Sequence, residues 1–152
     1  MAAKDPDRVL FLCERNSARS QFAEALLRHR APERFEVFSA GLVPGAVDRH
    51  MVRALDELGI PTDRLRSKGV AEFFGRQTFS FAIIVCDRAE PDCPRLFPFA
   101  VHTLHWPFKD PASTQGDDTE RLASFRAVRD RIDERICAWL EELDSPHDDG
   151  TD

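Results

Sequence analysis

The chain predicts a single α/β domain built on a parallel sheet, and three observations carry that expectation. Apolar runs rich in β-branched and aromatic residues take turns with stretches whose apolar residues recur every three or four positions. The runs are continuous rather than alternating, as expected of strands covered on both faces. The length, 152 residues, suits one sizeable core and leaves no room for a second.

The elements follow in order. Residues Arg8 to Cys13 read as a buried strand. Ser20 to His29 read as a helix, with Phe22, Ala23, Leu26 and Leu27 at helical spacing, and Pro32 ends it. Phe35 to Ser39 form a second strand, closed by Gly41 and Pro44-Gly45. Asp48 to Leu58 form a helix with Met51, Val52, Leu55 and Leu58 on one face, and Gly59 stops it. Ser67 to Phe74 read as a short third helix. Phe79 to Cys86 and Val101 to Leu104 are further strands. A last helix runs from about Asp118 to Leu143, its stripe made of Leu122, Phe125, Val128, Ile132, Ile136, Trp139 and Leu143. Right-handed crossovers in a flavodoxin-like three-layer fold put the four strands in the order 2-1-3-4, with helices on both faces. Ligands of such sheets bind at the carboxyl edge, at the switch point between the first and third strands.

Composition excludes several classes. An apolar fraction of 42% with 32% charged residues is that of a globular protein. No apolar run approaches the length of a membrane span, and the polar start of the chain lacks the apolar core of a signal peptide. A cytoplasmic location is therefore expected, where the four cysteines are better read as catalytic, metal-binding or incidental than as structural disulfides. A net charge of −6 speaks against bulk nucleic-acid binding. Much of the excess lies near the end of the sequence. Residues 1–7 and 144–152 read as disordered flanks of a domain over 8–143.

The most informative segment joins the first strand to the first helix: Cys13-Glu14-Arg15-Asn16-Ser17-Ala18-Arg19-Ser20. A short loop in that position points successive backbone N–H groups inward and makes an anion-binding nest. The helix behind it adds the positive end of its macrodipole. Arg19 offers a planar fork of donors to two oxygens of a tetrahedral oxyanion. Cys13, at the bottom of this positive field, is the candidate nucleophile. Ser20 can donate a hydrogen bond to its sulfur. The candidate oxyanion site is thus Glu14, Arg15, Asn16, Ser17, Ala18, Arg19 and Ser20. The competing reading is a buried strand-end cysteine beside an unrelated surface arginine.

The predicted topology brings a second pair of thiols to the same edge. The third strand ends in Cys86, and Cys93 follows after a polar segment that contains Pro91. A closed Cys86–Cys93 loop is feasible if that segment folds back, although spacing alone does not place the two residues within disulfide range. Cys86 as a small buried hydrophobe and Cys93 as an incidental loop residue stand as the alternative. Zinc is a poor match, because a Cys-x6-Cys pair with one more thiol and no histidine motif lacks the spacing of a structural site; no metal site is expected. Cys137 lies beside the apolar stripe of the last helix, which suits packing. Asp110, in Lys109-Asp110-Pro111, follows the fourth strand and could protonate a leaving oxygen; in isolation, Asp-Pro is only a turn initiator.

Taken together, Cys13-x5-Arg19-Ser20-Gln21, Phe38-Ser39-Ala40-Gly41, Cys86-x6-Cys93-Pro94, His105-Trp106, Asp110-Pro111-Ala112 and Phe125-Arg126-x-Val128-Arg129-Asp130-x-Ile132 resemble the low-molecular-weight protein tyrosine phosphatase superfamily. More narrowly, they are similar to its thioredoxin-coupled arsenate reductases. The resemblance spans Arg8 to Leu143.

It implies an oxidoreductase with no tightly bound cofactor and with thioredoxin as its reductant. Cys13 would attack arsenate held by the loop and Arg19, while Asp110 protonates the departing oxygen. Cys86 would attack Cys13 and release arsenite. Cys93 would then attack Cys86, leaving a redox-active Cys86–Cys93 disulfide for thioredoxin. Phosphate and sulfate would compete for the loop, and a monomer is expected. Ser20 resembles the residue that tunes the nucleophile, and Asn16 the one that holds the loop's shape. Many such reductases carry another cysteine where this chain has Ala18. Some bind potassium through residues matching Asn16, Glu24, Ser39 and an aspartate after Ser67. Here that position is Lys68, whose ammonium could take the cation's place. Two alternatives share the first step. One is a tyrosine phosphatase, against which stand Ala112, where an aromatic residue would hold the substrate ring, and the two resolving thiols. The other is an arsenate reductase served by glutathione or mycothiol with glutaredoxin or mycoredoxin.

Overall fold

The computed structural model describes residues 5–145. Of the flanks expected to be disordered, 1–7 and 144–152, residues 1–4 and 146–152 lie outside the described residues, whereas Asp7 begins the first strand and Asp144 ends the last helix. The element order is β1 (Asp7–Cys13), α1 (Arg19–Arg30), β2 (Phe35–Gly41), α2 (Arg49–Asp56), β3 (Phe79–Ile84), β4 (Ala100–His105) and α3 (Asp118–Asp144), with 3-10 turns at Val70–Phe73 and Pro111–Ser113. All strand pairs are parallel, in the order β2-β1-β3-β4. The expected α/β sheet and strand order are the ones found. β1 is central and its residues Val9–Cys13 are buried throughout, which is why this strand reads as an unbroken apolar run.

Helix ends follow local chemistry. The Asp48 side chain accepts hydrogen bonds from the His50 and Met51 amides and starts α2; Gly59, at φ +73°, ends that segment. A capping box between Asp117 and Glu120 starts α3. The α3 stripe buries Leu122, Phe125, Val128, Ile132, Ile136 and Trp139. Trp139 packs on Phe35, Phe81 and Trp106, and so reaches across β2, β3 and the end of β4. Phe125 meets Phe22 of α1 and His50 of α2, which ties the three helices together. Arg126 and Arg129 both grip Glu57 just past α2; the Arg126 hydrogen bond, helped by Arg129, holds the Glu57 carboxyl down at about 2.

Phe38 points to the other face of the sheet, since side chains alternate along a strand. It meets Phe73, and both meet Phe79, which in turn meets Phe97. This face is covered by the 3-10 turn and irregular chain. The helix expected over Ser67–Phe74 is reduced to that turn, for a specific reason. Lys68 donates its amide to Asn16 Oδ1 at 2.9 Å, its carbonyl accepts from the Gly41 amide at 2.8 Å, and Gly69 bridges Gly41 in parallel. Residues 68 and 69 are held extended by the Cys13 loop and the end of β2, so a helix cannot begin there.

Gly41 itself sits against that loop. A Cβ there would lie 2.7 Å from the Arg15 carbonyl carbon and the Asn16 nitrogen, both backbone atoms. Gly41→Ala is therefore expected to lower stability by ~1–3 kcal/mol in urea unfolding and to weaken binding of inorganic phosphate by calorimetry. An alanine variant with wild-type stability and affinity would mean that the loop can shift without cost.

Candidate active site

The loop from Cys13 to Arg19 is built by tying its carbonyls outward. Cys13 O accepts from the Leu42 amide, Glu14 O from Val43, Arg15 O from Gly45 and Ser17 O from Asp48, at 3.0 to 3.3 Å. Asn16 O accepts from Gln21 Nε2 at 2.9 Å, and Ala18 O from the Phe22 amide. With the carbonyls engaged, the loop's N–H groups are left for a ligand, apart from that of Asn16, which turns to the Cys13 sulfur. Helix α1 adds to them, because Ala18 at its start supplies no side-chain cap.

Asn16 is the hub. It has φ +56°, a left-handed conformation that asparagine adopts more readily than most residues. Its side chain donates to Ser20 Oγ (2.7 Å) and Ser39 Oγ (2.9 Å) and accepts from Gln21 Nε2 (3.0 Å) and the Lys68 amide. Its own amide donates to Cys13 Sγ at 3.2 Å. Ser20 Oγ lies 2.9 Å from the same sulfur. The thiol therefore has two polar neighbours within reach, both positioned by Asn16.

A cavity of about 310 Å³ opens above the loop, lined by Cys13, Glu14, Arg15, Ser17, Ala18, Arg19, Asp110, Ala112 and Ser113. A larger cleft of about 530 Å³ beside the end of α1 holds no thiol. The structure thus brings Cys13, Arg19 and Asp110 to one cavity at the carboxyl edge. Asn16 and Ser20 are buried behind it. Asp110 Oδ1 caps the Ala112 amide at 2.9 Å while its Oδ2 lies 4.0 Å from Arg19 Nη2.

Cys86 lies just beyond β3 rather than within it. The Val85 amide donates to Leu12 O at 2.9 Å, which sets this stretch level with Cys13. Cys86 and Cys93 are joined in a disulfide with their Cα atoms 5.8 Å apart; Cys13 and Cys137 are free. Both disulfide cysteines are buried. Sequence reading missed Glu90, which sits between them and grips Arg19: Nη1 donates to Oε2 at 2.6 Å and Nη2 to Oε1 at 2.8 Å, while Nη1 also reaches Phe108 O at 2.9 Å. Burial of Arg19 opposes its charge, but Glu90 and Asp110 outweigh it and raise its pKa; the Arg19 hydrogen bond in turn holds Glu90 below the usual carboxylate range. A glutamate in a polar loop carries no sequence signal for such a contact.

Residues 8–148 match the family model of the low molecular weight phosphotyrosine protein phosphatases. The chain belongs to that family. Among the curated members it resembles is an arsenate reductase of Halalkalibacterium halodurans, 35% identical over 133 residues, covering 88% of this chain and 94% of the relative. Among solved structures, an arsenate reductase in the phosphate binding state superposes with a TM-score of 0.73 at 26% identity, covering 90% of this chain and 98% of the other. A thioredoxin-dependent arsenate reductase of Corynebacterium glutamicum superposes at 0.69 with 26% identity over 93% of this chain and 64% of its own length.

Within this family member, Lys68 occupies a specific place under the loop. Its Nζ reaches Arg66 O (2.8 Å), Ser39 Oγ (3.3 Å) and Glu24 Oε1 (3.4 Å). Ser39 Oγ also donates to Glu24, which Arg28 pairs at 2.6 Å. Burial pushes the Lys68 ammonium below the usual lysine value, with Glu24 pulling the other way. A fixed ammonium here satisfies a buried carboxylate from within the chain. Exchanging potassium for sodium at constant ionic strength is therefore expected to leave the melting temperature unchanged. Lys68→Met should cost ~1–3 kcal/mol by leaving Glu24 and Arg66 O short of a donor. A potassium-dependent rise in the wild-type melting temperature would contradict this.

Proposed function

We propose that this protein reduces arsenate to arsenite through a relay of Cys13, Cys86 and Cys93, with thioredoxin as the final reductant. The observation that carries the reading is the Cys86–Cys93 disulfide at the edge of the sheet, one strand over from a free thiol in an oxyanion loop. A phosphatase uses only the thiol and has no need of that pair. The names of the related arsenate reductases point the same way, and that of the Corynebacterium glutamicum relative favours thioredoxin.

The Cys13 thiolate attacks arsenic(V), and an oxygen leaves as water after protonation by Asp110. The Cys86 thiolate attacks Cys13 Sγ; the sulfur–arsenic bond breaks and its electron pair stays on arsenic, which departs as arsenite. Cys93 attacks Cys86, freeing Cys13 as thiolate. A dithiol supplies two electrons and two protons to the resulting disulfide. Arg19 and the free N–H groups of the loop from Glu14 to Ser20 hold the oxyanion until arsenite departs, so phosphate and sulfate compete. No step calls for a bound cofactor or metal; among the described residues no cluster of ligands for a metal ion is present, and no helix is long and apolar enough to cross a membrane.

The relay makes the variants fail differently. Cys93→Ser treated with arsenate should release one equivalent of arsenite and hold a Cys13–Cys86 disulfide, whereas Cys86→Ser should stall before arsenite is released. Wild type without reductant should collect the Cys86–Cys93 bond. Mass spectrometry of non-reduced peptides reads all three. Full turnover of Cys93→Ser with glutathione and glutaredoxin would favour the low-molecular-weight thiol route. Full activity of both variants towards aryl phosphates, with no arsenate reduction, would establish a phosphatase instead.

Arg19→Lys should lower kcat/KM for arsenate by more than ~10-fold, since a point charge cannot supply two parallel N–H bonds to the oxyanion. A loss under ~3-fold would place Arg19 outside the site.

A further inference from the structure

The segment between Cys86 and Cys93 is exposed at Arg88, Ala89, Pro91 and Asp92, yet the two cysteines that bound it are 0% and 5% exposed. A thiolate must approach a disulfide sulfur in line with the S–S bond, so the disulfide as folded is out of reach. The loop has to open before any reductant can act. What holds it shut is therefore part of the reaction.

Most of the loop's hydrogen bonds are internal: the Glu90 amide donates to Asp87 O, the Cys93 amide to Glu90 O, and the Ala89 amide to Asp87 Oδ1. Two side-chain hydrogen-bonded links tie residues 87–92 to the rest of the described protein. One, Arg88 to His105, lies at the surface. The other is the two-pronged pair of Glu90 with Arg19, whose side chain is 6% exposed. Glu90 Oε2 also accepts from the Asp87 amide at 3.3 Å, so the same carboxylate gathers in the start of the loop.

The division of the Arg19 donors shows why this pair does not obstruct the oxyanion. Glu90 takes the end of the guanidinium, through Nη1 and Nη2, and Phe108 O takes the second Nη1 hydrogen. Nε–H and the remaining Nη2–H lie parallel on the side edge, a pair suited to two oxygens of one anion. Arg19 lines the cavity over the loop, and Glu90 does not.

We infer that Glu90 is a positioning residue that acts through Arg19: it latches the Cys86–Cys93 loop to the oxyanion site and keeps the disulfide sealed until the latch lets go. The inference rests on the reading of Cys86 and Cys93 as the resolving pair. It assigns to this carboxylate a role in the regeneration step, at the opposite end of the reaction from substrate attack. One guanidinium then serves both halves of the cycle, with its side edge on the anion and its end on the loop.

The test is the rate at which dithiothreitol reduces the Cys86–Cys93 bond in the full chain. Dithiothreitol supplies two electrons and two protons and leaves as its cyclic disulfide, while the protein gains two thiols. Protein is oxidised in parallel with arsenate and with diamide, and the bond is mapped by mass spectrometry. Glu90→Gln keeps the shape and removes the charge; its disulfide should be reduced at least ~10-fold faster than wild type. Glu90→Asp keeps the charge and should fall between the two. Glu57→Gln loses an ion pair of similar exposure far from the loop and controls for general loosening; its disulfide should be reduced at the wild-type rate. Equal rates for wild type, Glu90→Gln and Glu90→Asp would overturn the latch, as would a Glu57→Gln rate as high as that of Glu90→Gln. If arsenate forms no Cys86–Cys93 bond, the functional reading falls, and the diamide-oxidised protein still decides whether Glu90 seals the loop.

Discussion

The left-handed turn at Asn16 and the hydrogen bonds that hold it are the constraint on which the site depends. That one residue links Ser20, Ser39, Gln21 and the Lys68 backbone. It thereby fixes the first helix, the second strand and the extended stretch before the Val70–Phe73 turn against one another. A buried network of this kind contributes only when every member is satisfied, and a half-satisfied one costs more than an apolar core. Here the cost of bending the backbone is offset by partners that arrive from three separate segments, the Ser20 and Gln21 side chains of the first helix, the Ser39 hydroxyl of the second strand and the Lys68 amide. The close approach of Gly41 belongs to the same arrangement, since no larger residue leaves room for the loop.

An acidic protein that captures an oxyanion must generate positive potential over a few ångströms. On the proposed reading this chain, with its net charge of −6, would do so with oriented N–H groups and one buried guanidinium rather than with a basic surface. Each buried cation is matched. Arg19 faces Glu90 with Asp110 nearby, and Lys68 faces Glu24. Such pairing limits the desolvation cost of charges held inside the fold. It also leaves Arg19 with donors on one edge that Glu90 and Phe108 O do not take, where the proposed reaction would use them.

The two halves of the proposed reaction make opposite demands on the chain. Anion capture needs a rigid loop, and β1 with α1 supplies it from the most deeply buried part of the sheet. Disulfide exchange needs a segment that can move, and the stretch from Asp87 to Asp92 is mostly exposed and internally hydrogen-bonded. The parallel register of β1 and β3 sets these two segments side by side. Rigid and mobile parts are thus neighbours in space while 73 positions apart along the chain, counted from Cys13 to Cys86.

The strands, the three long helices and the oxyanion loop were legible in the sequence because each announces itself locally. Continuous apolar runs mark buried strands, three-to-four spacing marks helices, and Cys13, Arg19 and Ser20 sit at a strand-to-helix junction. The strand order then placed Cys86 beside Cys13 by topology alone. What escaped was decided at a distance. The residues from Ser67 to Phe74 have the composition of a helix, yet Asn16 and Gly41 hold residues 68 and 69 extended and leave only a short turn. Glu90 has the look of any surface glutamate, and its partner Arg19 lies 71 positions away. Local patterns report on neighbours within a few residues. Contacts of this kind become fixed only when the sheet closes and brings remote polar groups together out of water, where an unpaired group is too costly to leave alone.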